Sequence, residues 1–378
     1  MIPVYQPLLG GNEKTYVNQC LDSTWISSKG EFIDRFEKGF AAFMGVPHAT
    51  SVCNGTVALH VALLALGLGP GDEVIVPTLT YVASVNAILQ TGAKAVFAES
   101  AAGGWNLDPG DVRRRITPRT RAVMAVHLYG LPCAMDALVE LCRDHNLLLV
   151  EDCAEAIGSR YRGRHVGTFG DVATFSFFGN KTITCGEGGM VVAGQRSVID
   201  RVHHLKTQGL SPGREYWHDV QGYNYRMTNI CAAIGLAQLE QVESFLERKR
   251  AIAAWYREGC ESLPVSFQED SPDAVNSYWM CSFLVGTARW RDPLRRFLRD
   301  RGIDTRPLFH PAHQLPHLAT GQSFPVAEQL SQRGINLPSY PALTRDQVFM
   351  ICDAIRKFHL VQAAGDMQEA AGSARNYR

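Results

Sequence analysis

Between residues 73 and 176, short apolar runs of strand type alternate with runs of helical spacing, and this alternation constrains the fold more than any other feature of the chain. The strand-type runs are Val74-Ile75-Val76, Ala95-Val96-Phe97, Ala122 to Val126, Leu147 to Val150 and Ala173 to Phe175, with helical candidates at about 81 to 91, 108 to 116 and 134 to 145 between them. Nearly continuous apolar strands joined by helix-length crossovers describe a mainly parallel sheet with helices on both faces, an α/β/α arrangement. Ligands in such sheets sit at the carboxyl ends of the strands. Tyr81, His127, Tyr129, Glu151 and Asp152 all fall just after strand-type runs, so a polar site is expected there.

The flanking segments add a second, smaller unit. Residues 1 to 11 read as an extended arm and 12 to 22 as a helix. Glu31 to Met44 repeats Phe32, Phe36, Phe40 and Phe43 at helical spacing, the mark of a core-facing stripe. A long helical pattern from Ile230 to about Glu258 is followed by shorter strand and helix signals (Ser277 to Val285, Pro293 to Arg301, Arg345 to His359). The expected organisation is a large α/β domain at 1 to 250, a smaller α+β domain at 251 to 362 and a flexible tail at 363 to 378, in keeping with the usual size of domains. Lys and Arg total 37, as do Asp and Glu, so no basic field points to nucleic acid. The ten cysteines are scattered without a Cys-x-x-Cys pair, and no segment has the length and apolarity of a membrane span. A soluble, cytoplasmic protein with reduced thiols is expected.

Several residues are candidates for chemistry. Lys181 stands between the aromatic run Phe175 to Phe178 and a turn containing Gly186, Gly188 and Gly189. An amine held among rings loses its proton more readily and can attack an aldehyde, although a surface lysine beside a loop fits the same residues. Asp152 ends an apolar strand and is followed by Cys153 to Gly158, so it needs a partner, which a cap or a salt bridge would also provide. Asn54-Gly55-Thr56 opens an apolar helix whose free N–H groups can hold a phosphate, and an ordinary N-cap is the simpler account. The glycines of Gly67 to Asp72 precede a strand, the wrong order for a dinucleotide fingerprint. His310, His313 and His317 are separated by Pro311 and Pro316, which argues against a metal site.

Five ordered stretches, Asn54-Gly55-Thr56, Gly71 to Pro77, Glu151 to Ala156, Phe177 to Lys181 and Tyr223 to Met227, resemble the pyridoxal-phosphate-dependent sugar aminotransferases of the DegT/DnrJ/EryC1/StrS family, over about residues 2 to 362. The resemblance implies the fold-type-I architecture and an obligate homodimer with shared sites. It also implies roles. Lys181 would be the Schiff-base lysine, Asp152 the partner of the pyridine nitrogen, Gly55, Thr56 and Ser176 the phosphate contacts, Tyr81 the ring-stacking aromatic and Glu155 a further cofactor contact. Asn224 would complete the neighbouring subunit's phosphate site. Trp25, Ser27, Ser28, Arg306, His310 and His313, with Tyr225 and Arg226 from the partner chain, would hold the nucleotide sugar. In the family's dehydratase branch a histidine replaces the lysine, so Lys181 implies transamination from L-glutamate to a nucleotide-linked keto-deoxysugar. A GDP-linked 4-keto-6-deoxy-D-mannose is the expected acceptor and a UDP- or dTDP-linked keto sugar the alternative. A non-catalytic regulatory protein on the same fold is the rival from another class.

Overall fold

A computed structural model describes the backbone of residues 1–375 and the side chains of 1–362; the side chains of the expected flexible tail, 363–378, lie outside the described residues. The first half holds strands β1 (His48–Val52), β2 (Glu73–Pro77), β3 (Lys94–Ala98), β4 (Thr120–Val126), β5 (Leu148–Asp152), the short β6 (Arg160–Tyr161) and β7 (Arg164–His165), then β8 (Val172–Ser176) and β9 (Gly189–Ala193). Seven of these form one sheet in the order β1-β9-β8-β5-β4-β2-β3. The pairs from β3 through β8 are parallel, and β9 runs antiparallel to both β8 and β1.

Successive side chains on a strand face opposite sides, and here both sides are dry. Val74, Val76, Ala122, Met124 and Val150 belong to one hydrophobic cluster, while Ile75, Val123, Ala125, Leu149 and Phe175 belong to the other. The helices that cover the sheet are α1 (Glu13–Asp22), α2 (Glu31–Met44), α3 (Gly55–Ala65), α4 (Val82–Gln90), α5 (Pro109–Arg115), α6 (Met135–Asp144), α7 (Arg196–Lys206) and α8 (Asn229–Leu239). The phenylalanine stripe of α2 packs as expected. Phe36 and Phe40 are fully buried, and the Phe40 ring lies 5.0 Å from Phe175 and 5.5 Å from Phe177.

The helix expected over 230 to 258 is two helices, α8 and α9 (Val242–Cys260), broken at Glu240 and Gln241. No glycine or proline marks the break. It is a tertiary effect: Glu240 accepts hydrogen bonds from Asn12 Nδ2 and Tyr16 Oη of the first helical segment, each 2.7 Å, and Gln241 reaches back to Glu13.

The C-terminal part carries β10 (Val265–Phe267), β11 (Ala274–Val275), β12 (Cys281–Val285), β13 (Arg306–Pro307) and β14 (Gly334–Leu337), with α10 (Arg291–Arg299), α11 (Pro325–Arg333) and α12 (Arg345–Arg375). Four of these strands make an antiparallel sheet, β10-β12-β14-β13, and β11 joins the β6–β7 hairpin. A third core gathers α9, α10, α12 and this second sheet, whereas Trp279, Met280, Leu308 and Phe324 are continuous with the first core of the large sheet. Among the described residues no helix is long and apolar enough to cross a membrane.

Phe40→Ala leaves a cavity among Phe36, Phe175 and Phe177 just behind the strand that leads to Lys181. We expect a loss of about 3–5 kcal/mol of stability, read from the urea unfolding midpoint at constant protein concentration.

Candidate active site

The carboxyl ends of β4, β5 and β8 and the segment after β2 meet at one cavity of about 470 Å³, a size suited to a small-molecule site. Val126, Asp152 and Ser176, each the last residue of its strand, line it. So do Gly55, Thr56, Tyr81, Glu155 and Lys181, which the sequence had singled out.

Asp152 is buried and both of its oxygens are oriented: Oδ2 accepts from Ser84 Oγ at 2.7 Å and Oδ1 from the Ala154 N–H at 3.0 Å. Neither bond neutralises it, so a cationic N–H from a ligand would find a prepared acceptor.

One wall is the start of α3. Asn54 is the N-cap, its Oδ1 accepting from Val57 N–H at 3.0 Å. Gly55 is required by proximity, since a Cβ there would stand 2.7 Å from Ser176 Cβ and 2.9 Å from its Oγ. Gly189 does the same from the other side, because its Cβ would meet the Asn54 carbonyl carbon at 2.7 Å. Two strand ends and one helix start are thereby drawn together, and free N–H groups, a helix dipole and the Ser176 hydroxyl face one place. A helix start of this kind is chemically suited to an anion.

Lys181 follows Ser176 in a tight turn in which its own N–H bonds to Phe178 O and Cys185 N–H to Phe177 O, both 2.9 Å. Its carbonyl accepts from Tyr5 Oη, which comes from the N-terminal arm. Nζ opens onto the cavity, 3.8 Å from the centroid of Trp279. Dense protein around the amine lowers its pKa, and the nearby carboxylates of Glu155 and Asp152 partly restore it. Glu155 is buried, accepts from Tyr129 N–H at 2.7 Å, and its carboxyl is pushed up by burial to about 7 against the opposing influence of Lys181. Tyr129 makes this bond from a left-handed backbone, φ 57° and ψ 12°, a conformation non-glycine residues adopt mainly where surrounding structure enforces it.

The eight residues expected to hold the sugar do not line the cavity of a single chain. His313 is excluded by its bonding: it is buried, with Nδ1 on Thr78 Oγ1 at 2.7 Å and Nε2 on Glu328 at 3.2 Å. Arg306 is turned to Asp304, and His310 is exposed beside Phe309, the neighbour that does line the cavity. Trp25 is exposed; the loop carrying it, Ser27 and Ser28 is pinned by Asn229, whose side chain bonds Trp25 O and whose N–H bonds Ser27 O. Asn224 accepts from Arg226, and Tyr225 stacks on Tyr223 and touches His60, all outside this cavity. Residues the sequence reading missed are Ser84, Asn180, Glu187, Trp279 and Phe309. Ser84 lies one helical turn beyond Tyr81, Asn180 and Glu187 fall in the stretch around Lys181, and Phe309 adjoins His310; Trp279 had no such neighbour. A neighbouring cluster of His127, Glu151 and Cys153 lies within ligating distance of one another. Cys133 N–H points at His127 Nδ1, and Glu151 is saturated by His127 Nε2 and three backbone N–H groups, so the His127 and Glu151 atoms are already engaged.

A lysine amine, an oriented buried carboxylate and a helix start suited to an anion, around one cavity, are the parts a pyridoxal phosphate site requires. The model of the DegT/DnrJ/EryC1/StrS aminotransferase family matches residues 7–356. The chain belongs to this family. It is 58% identical over 359 residues to a GDP-perosamine synthase of Escherichia coli O157:H7, covering 95% of this chain and 98% of that one. To a GDP-perosamine synthase of Vibrio cholerae it is 54% identical, covering 95% and 99%. Among solved structures it is similar to S. venezuelae DesV in complex with a ketimine intermediate, with a TM-score of 0.87, 39% identity and coverage of 92% and 94%. The protein is a pyridoxal-phosphate-dependent sugar aminotransferase.

Glu155 provides a pH test. Its folded pKa, about 7, lies above its ordinary value, so between that value and 7 the folded chain holds a proton that the unfolded chain has lost. Its contribution to stability therefore falls as pH rises through that window. Glu155→Gln removes the titration, and we expect the stability of this variant relative to the parent to rise with pH up to about 7, measured by urea unfolding of the cofactor-free chain.

Proposed function

We propose that this chain moves the amino group of L-glutamate onto the keto carbon of GDP-4-keto-6-deoxy-D-mannose, making GDP-perosamine for O-antigen or a related glycan. Identity with GDP-perosamine synthases over nearly the whole of both chains supports the acceptor. The observation that carries the chemistry is the convergence of Lys181, Asp152 and the start of α3 on one cavity.

Pyridoxal phosphate, when bound, supplies an electron sink for the carbon that gives or receives the amino group. The residues of this chain do the rest. The α3 N–H groups at Gly55 and Thr56, with Ser176 Oγ, bind the phosphate. Asp152, aligned by Ser84 and the Ala154 N–H, would accept from the pyridine N–H and favour its protonated form. Tyr81, more than half exposed on the cavity rim, offers its face to the ring. Burial lowers the pKa of the Lys181 amine, which suits it first as nucleophile and then as the base and acid that would move a proton at the substrate carbon. Glu155, adjacent and titrating near neutrality, holds a proton within the same buried group.

Asn224, Tyr225 and Arg226 stand outside their own chain's cavity, which fits service to a second subunit in a homodimer. With Trp25, Ser27 and Ser28 on an exposed loop, they are the residues we assign to the sugar side of that shared site. Ten free cysteines, most of them buried, suit a cytoplasmic enzyme.

Glutamate offered with GDP-, UDP- and dTDP-linked 4-keto-6-deoxysugars should give an aminated product by mass spectrometry chiefly from the GDP-sugar. Equal turnover on all three would sink the specific acceptor. Lys181→Ala should lower turnover by roughly a thousandfold or more, and borohydride should fix the cofactor on Lys181 of the parent chain alone. Unchanged turnover in that variant would remove the enzymatic reading.

A further inference from the structure

The ring of Trp279 touches Lys181 from two directions. Its face lies under Nζ, 3.8 Å from the centroid, and its indole N–H donates to the carbonyl of Asn180 at 2.7 Å. The tryptophan is itself fixed: it is buried, Tyr129 stacks on it at 6.1 Å and an interplanar angle of 10°, and Phe309 lies 6.5 Å away at 28°. The carbonyl of Asn180 is held by Trp279 and that of Lys181 by Tyr5, so the two carbonyls that bracket the lysine are anchored by residues far from it in sequence.

We infer that Trp279 is the positioning residue of Lys181: its face holds the charged amine whenever that amine is free of cofactor, and its N–H fixes the peptide from which the side chain springs. The inference rests on the reading of Lys181 as the cofactor-binding lysine. Transamination leaves this amine unattached for part of each cycle, on a flexible four-carbon stem. An aromatic face favours an ammonium modestly, far less than a direct buried ion pair, so it can keep the amine in place without trapping its proton. The ionisable groups around it are Asp152 at the end of β5, Glu155 just beyond it and Glu187 in the glycine turn, with the hydroxyl of Tyr5 on the carbonyl of Lys181 itself.

Two effects of the tryptophan oppose one another, and their signs differ. As a π face it stabilises the ammonium; as an apolar wall it excludes water and destabilises it. The pH midpoint at which the full-length chain, freed of cofactor with hydroxylamine, captures added pyridoxal phosphate on Lys181 separates them. Capture is followed by near-visible absorbance and located by borohydride reduction and peptide mass. For Trp279→Leu the midpoint should fall by about 0.5–1.5 pH units, and for Trp279→Phe, which keeps a weaker ring, by less. A midpoint that stays or rises in the leucine variant overturns the inference, because a wall that only excludes water gives that result. Should the leucine variant fail to fold, the phenylalanine variant decides: a fall supports the role and no fall overturns it. Absence of capture on Lys181 in the parent chain is a different result, and it removes the reading of the site on which the inference rests.

Discussion

Strand β5 ends in two adjacent carboxylates, both buried, and much of the site follows from how the fold satisfies each of them. Alternation along a strand sends Glu151 and Asp152 to opposite faces of the sheet. On one face Glu151 is closed off: His127 Nε2 and the backbone N–H groups of Gly167, Phe169 and Gly170 point at its oxygens. That bonding organises the loop between β7 and β8 and makes Glu151 structural. On the other face Asp152 receives one hydroxyl and one backbone N–H, which orient it and leave acceptor capacity directed at the cavity. Two like residues in sequence thus have unlike fates, decided by what the crossover loops bring to each face.

Lys181 is held by a comparable division of labour. The sheet supplies β8, and the glycine-dense return to β9 fixes the turn. The clamps on its peptide come from Tyr5 in the N-terminal arm and Trp279 just before β12. Tyr5 is in turn tied to the C-terminal part, since Val4 O accepts from Ser339 N–H and Ile2 pairs beside Ile303. Geometry at the reactive amine therefore depends on contacts between the arm, the second sheet and the first. The continuity of Trp279 and Leu308 with the large core gives those contacts a rigid base.

The sheet was legible in sequence because it rests on short-range patterns, whereas the cofactor roles came from the resemblance to a family, the local patterns alone leaving a surface lysine and an ordinary cap open. Strands buried on both faces must be apolar throughout, which is why β2, β4, β5 and β8 stand out as runs. Gly55, Asp152 and Ser176 sit at strand ends or helix starts, where position along the chain already implies position in space. What sequence hid was tertiary. The break between α8 and α9 has no local breaker and depends on Asn12, Tyr16 and Glu13 reaching across to Glu240 and Gln241. Trp279 reaches the cavity from a distant segment with nothing in its own neighbourhood to announce it. His313 looked available because its partners, Thr78 and Glu328, are remote in sequence, and those bonds remove it from the site.

The rim of the cavity carries apolar surface that a bound ligand would cover. Tyr81 and Phe178 keep roughly half their surface exposed at its rim. Aromatic faces held in water cost free energy that contact with a ligand would recover. A ring stacked on Tyr81 and an apolar edge against Phe178 would each turn exposed apolar surface into a contact. Binding to the folded state alone then adds stability in proportion to ligand concentration over its dissociation constant. Ligand contact at the rim would therefore stabilise the folded chain through the same aromatic faces that solvent touches in the free chain.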